Sequence, residues 1–376
     1  MDRVGVVGVG YEGFRPAITD ISTRELMFQA ASKAYADAGV DPRKEVGSFI
    51  CCTEDFWEGW AITDEMVPDQ VGGARRPLCT VAGDGVTGLG HAVMHIRAGV
   101  AEVAAVEAHS KTADVLDKVA VENLALDPVF LRSPGANADV LAGLEMSAFM
   151  RESGFRRDEV SLAVKFEKEN ALKNPRGSYG ASLSLKEVGC AKPVAAPLLR
   201  HDKAEFAEGG IVMVLASERW IKRHRKEAVY IDGVAWRSSL PWYEGGGVGA
   251  AGYARQSFRS AIEQARRPGL ASFDVLEVDD TYSYKLLQHL VSMGATRERA
   301  VAMLKGKGPA LNPSGGALGC GNMIEATGLH RVLECVLQLR GTAGPVQVAK
   351  ARTAAALSWR GNPTAAGAAV ALSRGA

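Results

Sequence analysis

Two side chains able to do chemistry sit inside one glycine-rich stretch. Residues 312–328 read Asn-Pro-Ser-Gly-Gly-Ala-Leu-Gly-Cys-Gly-Asn-Met-Ile-Glu-Ala-Thr-Gly, and the two are Cys320 and Asn322. Glycine permits positive φ and close backbone approach. A turn that feeds a helix start also presents unpaired N–H groups to a polarised oxygen. A thiol there can be lowered in pKa and act as a nucleophile. An asparagine amide can donate to a thioester oxygen. The plainer alternatives are a tight loop-to-helix connection and a small buried cysteine.

Other candidates lie apart in sequence. Asp279 and Asp280 are adjacent carboxylates at the end of a strand pattern, fit for general base work or for capping the helix that follows. Asp84 sits in the turn Ala82-Gly83-Asp84-Gly85, where a carboxylate either abstracts a proton or caps a helix, and capping is the first reading. Tyr282 and Tyr284 are phenols more readily placed in a core. His109 follows a strand end and titrates near neutrality if exposed.

These residues need elements to hold them. The apolar run 3–10 predicts a buried strand, and 23–38 a helix with Thr23 as cap and Gly39 as stop. Gly8-x-Gly10 is no dinucleotide fingerprint, because the chain runs on into Phe14-Arg15-Pro16 without opening a helix. A second strand is predicted over 46–52. The block 77–111 predicts strand, turn, helix and strand, a parallel βαβ unit. Helices are predicted over 141–153 and 157–174, and a buried strand over 209–217. A second series begins near residue 228: strand 230–236, helix 251–265, strand from 274, helix 284–293, and final strands over 353–359 and 367–372. The sequence itself supports a parallel α/β protein with two similar halves, 1–227 and 228–376.

Composition narrows the function classes. The chain has 376 residues, is 47% hydrophobic and 23% charged, and carries a net charge of +1. That balance gives no bulk attraction to nucleic acid or an anionic membrane. The basic run 222–226 reads as a solvated helix end. No apolar run reaches spanning length, and the first residues enter a strand pattern, leaving no room for a signal peptide. The six cysteines form no C-x-x-C pair, so neither a structural zinc site nor a disulfide framework is expected; a reducing cytoplasm is.

The glycine stretch resembles the thiolase-superfamily block N-x-x-G-G-x-x-x-x-G-H-P-x-G-A-T-G, with Asn322 in place of the catalytic His and Met323 in place of Pro. The strand 209–217 is similar to the family's D-G-A-A-A-x-V-L-A-S strand. The resemblance extends along essentially the whole chain. It implies a duplicated, five-layer α/β/α/β/α fold and an acyltransferase acting on a CoA thioester, with coenzyme A as substrate and no covalently bound cofactor. It also implies a homodimer joined by a small zinc-ribbon/OB-fold protein.

The family's catalytic groups are altered here. Ala82 stands at the nucleophile position, Asp279 at an Asn/His position, and Ser358-Trp359-Arg360-Gly361 at the C-x-G turn. The backbone N–H groups of Ala82 and Gly361 are expected to form an oxyanion site. Ser238, Gly246, Gly247 and Ser314 are expected to contact CoA. Thiolysis of a bulky 3-oxoacyl-CoA through Cys320 is the leading expectation, similar to 2-benzoylsuccinyl-CoA thiolase in anaerobic aromatic degradation. Retro-aldol cleavage of a 3-hydroxyacyl-CoA and an inactive scaffold are the alternatives.

Overall fold

The structure is a computed structural model. It describes residues 2–54, 63–240, 247, 249–362 and 364–375. Among the described residues twelve strands follow one another. They are β1 (Val4–Arg15), β2 (Ser48–Cys52), β3 (Leu78–Val81), β4 (Val103–Ser110), β5 (Pro193–Ala195) and β6 (Leu198–Leu199). Then come β7 (Glu208–Ser217), β8 (Val229–Ser238), β9 (Val275–Val278), β10 (Ala310–Leu311), β11 (Thr353–Trp359) and β12 (Ala366–Arg374). Ten of these form one sheet in the order β10-β9-β11-β12-β8-β1-β7-β4-β2-β3, and β5 and β6 form a small hairpin.

The order repeats itself about the β1–β8 junction. On one side β2 pairs parallel with β3 and β4, β4 antiparallel with β7, and β7 antiparallel with β1. On the other side β9 pairs parallel with β10 and β11, β11 antiparallel with β12, and β12 antiparallel with β8. The junction is a short antiparallel contact of Val4, Gly5 and Val6 with Ile231, Tyr230 and Val229. The proposed division at 227/228 falls just ahead of β8. Sequence reading predicts a parallel sheet, whereas the sheet is mixed. The physical reason is connection length. β11 and β12 are joined by residues 360–365 alone, too few for the crossover that a parallel neighbour needs.

Three apolar clusters set the layers. The helices Gly85–Arg97 and Ala326–Arg340 lie in the middle and touch strands of both halves. Leu89 and Val93 of the first, and Leu329 and Leu333 of the second, share a core with Val106, Met213, Ala354 and Val370. The helix Thr23–Ala38 covers the outer face of the first half through Met27, Ala30 and Ala34. The helices Gly252–Gln264 and Ser283–Ser292 cover the outer face of the second through Phe258, Leu286 and Leu290. The result is the five-layer α/β thiolase fold. Burying each large aliphatic side chain stabilises it by about 1.5–3 kcal/mol.

Local signals are read closely here. Ser22, one residue before the expected Thr23, caps the first helix with Glu25 in a capping box, and Gly39 ends it in the left-handed region. Gly8 and Gly10 serve this packing. A Cβ on Gly10 would lie 2.1 Å from Ala30 O, so only glycine lets the helix lie that close to β1. The segment 127–135 contains a π-helical turn at Pro128–Arg132.

Candidate active site

A cavity of about 280 Å³ opens where the glycine stretch, the turn after β3 and the β11–β12 turn meet. Asp84, Asn322, Thr327, Tyr282, Trp359 and Gly361 are among its lining residues. No cysteine is among the described residues that line it.

Asp84 gets there as a helix cap. It precedes the helix Gly85–Arg97, and its Oδ1 accepts from Val86 N at 2.9 Å. Ser358, near the end of β11, donates its hydroxyl to the same oxygen. Both recorded hydrogen bonds fall on Oδ1, which leaves Oδ2 as the free acceptor among the described residues. The carboxyl is 4% exposed. Burial pushes its pKa up to about 7; the charge of Asp279 adds to the rise, while Ser358, Val86 N and Arg331 oppose it. Space for the carboxylate depends on Gly328, in the first turn of the central helix Ala326–Arg340. A Cβ at that position would lie 2.0 Å from Oδ1 and 2.1 Å from Oδ2. Asp84 therefore caps the helix and lines the cavity at once.

Asn322 is fixed from both sides. Its backbone bridges residues 205–207, donating to Glu205 O at 2.8 Å and accepting from Ala207 N at 2.9 Å. Its Oδ1 accepts from Ile324 N at 3.0 Å and from Thr327 Oγ1 at 3.1 Å. A backbone N–H only donates, so the side-chain oxygen is identified by that bond and the NH₂ group points the other way. Gly361, with φ of 99°, accepts at its carbonyl from Thr364 N at 2.9 Å. Its own N–H has no recorded partner among the described residues.

The opposite wall is polar but self-paired. Lys203 Nζ lies 2.8 Å from Asp139 Oδ1, and Tyr282 OH donates to the same oxygen at 3.3 Å. Burial raises the Glu122 carboxyl above its ordinary value, partly offset by Lys203. Arg360 pairs with Glu54. Val121, Leu124 and Ala125 add an apolar strip.

Several of the expected site residues do not line the cavity. Cys320 is fully buried, and its Sγ donates to Ser314 O at 3.2 Å. Burial pushes the thiol well up, and the carboxylates of Glu334, Glu277 and Asp280 push the same way. The reason is position: Cys320 ends the short helix Gly316–Cys320 instead of opening one, so it sees the negative end. Gly319 presses that helix onto Ala171, where a Cβ would approach to 2.4 Å. Asp279 is 1% exposed and is held by Arg331 at 3.1 Å, so it is not available as the base. Asp280 caps Ala317 and Leu318 at 2.7 and 3.0 Å, a different helix from the one expected.

Ser314, expected to contact CoA, is buried and donates to Glu277 Oε2 at 2.7 Å. Ala82 is exposed at the end of β3 and is not among the residues lining the cavity. Ser238 and Gly247 line a second cavity of about 390 Å³, with Tyr253 and Thr364. Residues of the β11–β12 turn border both: Trp359 of the first donates Nε1–H to Thr364 O of the second at 3.0 Å. Gly246 lies outside the described residues. His109 and Tyr284 are buried away from this site.

Ser358, Thr327 and Gly328 were visible in quoted motifs without a role. Their roles follow from which side of an element faces the cavity. Glu122 and Lys203 come from segments with no periodic signal.

Residues 250–373 match the family model for the thiolase C-terminal domain-like family. The acetyl-CoA acetyltransferase of Methanothermobacter thermautotrophicus is 24% identical, across 93% of this chain and 94% of the relative. Rabbit (Oryctolagus cuniculus) sterol carrier protein 2 is 26% identical, across 94% of this chain and 69% of that protein. The solved Ltp2-ChsH2(DUF35) aldolase superposes with a TM-score of 0.84 at 18% identity, covering 99% of this chain and 98% of that one. With the repeated half-sheets, the paired central helices and the glycine block meeting at one cavity, these likenesses make the chain similar to the thiolase superfamily along its length, with a thiolase C-terminal domain-like region over residues 250–373.

Proposed function

We propose that this cavity breaks, or in reverse makes, a carbon–carbon bond in an acyl-CoA thioester, with Asp84 as the base. The chain is a thiolase-type enzyme of CoA thioesters, of the acyltransferase superfamily of its relatives; the proposal concerns how it works. One observation carries it: the cavity holds a carboxyl poised near neutrality and no thiol among its described lining residues.

Retro-aldol cleavage of a 3-hydroxyacyl-CoA fits that inventory. Asp84 Oδ2 takes the proton of the 3-hydroxyl. The C2–C3 bond breaks, the oxygen electrons form a C=O, and the bond pair moves through C2 to the thioester oxygen. In this proposal the Asn322 NH₂ group and the Gly361 N–H hold that developing oxyanion. Protonation at C2 by the carboxylic acid form of Asp84 releases the shortened acyl-CoA and restores the base. No acyl-enzyme is required.

The cavity cations Lys203 and Arg360 already have carboxylate partners, so a bulky acyl group without a free carboxylate suits this wall. The pantetheine would lie across the β11–β12 turn toward Ser238 and Gly247. The Ltp2-ChsH2(DUF35) name carries a second component, and the small zinc-ribbon/OB-fold partner is proposed here in the same sense, beside a homodimer.

Acyl transfer is the second reading, favoured by the relatives named acetyl-CoA acetyltransferase. In that case Asp84 deprotonates CoA itself, the CoA thiolate attacks the 3-oxo carbon directly, and the adduct collapses with cleavage of C2–C3; the departing thioester enolate takes the proton back from Asp84 at C2, leaving two acyl-CoA products. The assay separates the two. The chain is incubated, with and without the proposed partner, with an aromatic 3-hydroxyacyl-CoA, and separately with the 3-oxoacyl-CoA plus free CoA. Shortened acyl-CoA and a free carbonyl product without added CoA are expected. Turnover only of the oxo ester with CoA favours acyl transfer; no turnover in any arm leaves the scaffold reading.

A further inference from the structure

On the far side of the first half-sheet from the cavity, Cys51, Glu107 and His109 converge. Their donor atoms all lie within 4.8 Å of one another. The convergence follows from strand geometry. Cys51 of β2 is the register partner of Glu107 of β4, and His109 is two residues on, so the three side chains share one face. They are 0%, 2% and 1% exposed. Around them the outer core is apolar, with Phe49, Val103, Ala105, Val212 and Val214.

Glu107 sits between the other two. Cys51 Sγ donates to Oε2 at 3.0 Å, and His109 Nδ1 lies 2.7 Å from Oε1. Among the described residues Glu107 has no Lys or Arg partner. Lys111, the next residue on that face, is spent on Ile18 O and Glu208. A buried carboxylate needs a positive partner. Two are chemically open: an imidazolium on His109, or a cation bound by all three donors.

We propose that Cys51, Glu107 and His109 form a site for a divalent cation of the zinc class. Thiolate, imidazole and carboxylate together are a zinc-type ligand set. On binding, the Cys51 thiol proton leaves to solvent and the Sγ–metal bond forms. Tetrahedral zinc separates its ligand atoms by roughly 3.3–3.8 Å, so the Glu107–His109 contact and the Cys51–Glu107 contact each open by about 0.5–1 Å. Strand-borne ligands are pre-organised for such a site. C-x-x-C spacing gives no warning of it, because the donors come from two strands.

Cobalt titration of the chelator-stripped full chain tests the site. One equivalent of Co²⁺ should bind with a thiolate-to-cobalt charge-transfer band, displaced by Zn²⁺. Cys51→Ser should abolish the band, and His109→Ala should weaken binding more than about tenfold, as even outer-shell losses do. Zn²⁺ should raise the melting temperature of the wild type and not of Cys51→Ser. A Cys190→Ser control, at an exposed cysteine, should leave the band intact. Absence of the band from the wild type, or its loss only in Cys190→Ser, overturns the proposal whether or not the variants fold. The imidazolium then balances Glu107 alone.

Discussion

The proposed mechanism turns on a single carboxyl. Asp84 has its pKa pushed up to about 7, so it is half ionised near neutrality and serves as a base increasingly as pH rises. Activity should therefore climb through an apparent pKa near that value. Asp84→Asn should lower kcat by about 10²–10⁴-fold and remove that limb, with KM little changed. A pH–rate profile of the two proteins checks it; an unaltered acid limb in the variant places the base elsewhere. Cys320→Ala is the counterpart. The thiol is buried behind Ser314 and outside the cavity, so kcat should stay within a few-fold. Stability should fall by about 1 kcal/mol for the lost volume, read by chemical denaturation. Complete loss of turnover in a folded Cys320→Ala would restore the thiolate route.

Elements meet at this site through glycines, and that is where their packing can be tested. The central helix Ala326–Arg340 passes Asp84 at Gly328, with no room for a methyl group. Gly328→Ala adds helix propensity of about 1 kcal/mol, yet must push the carboxylate aside. We expect kcat to drop at least tenfold while the far-UV circular dichroism is unchanged. Unchanged kcat would mean that the carboxylate position does not matter. The motif showed this glycine as part of Ala-Thr-Gly, but not what it faces. A helix's period tells which residues share a face; its partner is set by the assembled layers. The same holds for Cys320. Five glycines promised a loop open to a ligand, and instead they let a short helix press against Ala171.

Across the whole molecule, the two half-sheets close on a buried charge cluster. Arg331, fully buried, bridges Asp279 and Asp280, while Glu334 pairs with Arg176 at 2.6 Å. Glu277 has no such cation at bonding distance among the described residues. Burial pushes its pKa up to about 8, the Glu334 charge adds, and Ser314 and Arg331 oppose. It is protonated in the folded chain at neutral pH but ionised in the unfolded chain. Its folded pKa is raised, so its contribution is fully present below the ordinary glutamate range. It is lost as pH rises toward about 8. The loss is up to roughly 1.4 kcal/mol per pH unit. The wild type should therefore lose stability from pH 5 to 8 more steeply than Glu277→Gln. Urea denaturation at three pH values reads the difference; parallel curves would show that Glu277 is ionised in the fold.

Local order was legible in the sequence: the strands β1, β4, β7 and β12, the capped helices and the two-fold series follow from apolar period, caps and glycine stops. So were the resemblance to the thiolase superfamily and two residues that line the cavity, Asp84 and Asn322. What the tertiary structure alone decided is direction and burial. It placed Asp84 facing a cavity and Asp279 behind Arg331, and it seated Cys320 in the core. It also set Ser238 and Gly247 in a neighbouring hollow. Periodicity is a property of adjacent residues, and the chain states it outright. The dielectric around a carboxyl, and hence its pKa, depends on groups hundreds of residues away, such as Ser358 for Asp84, and exists only once the layers have closed.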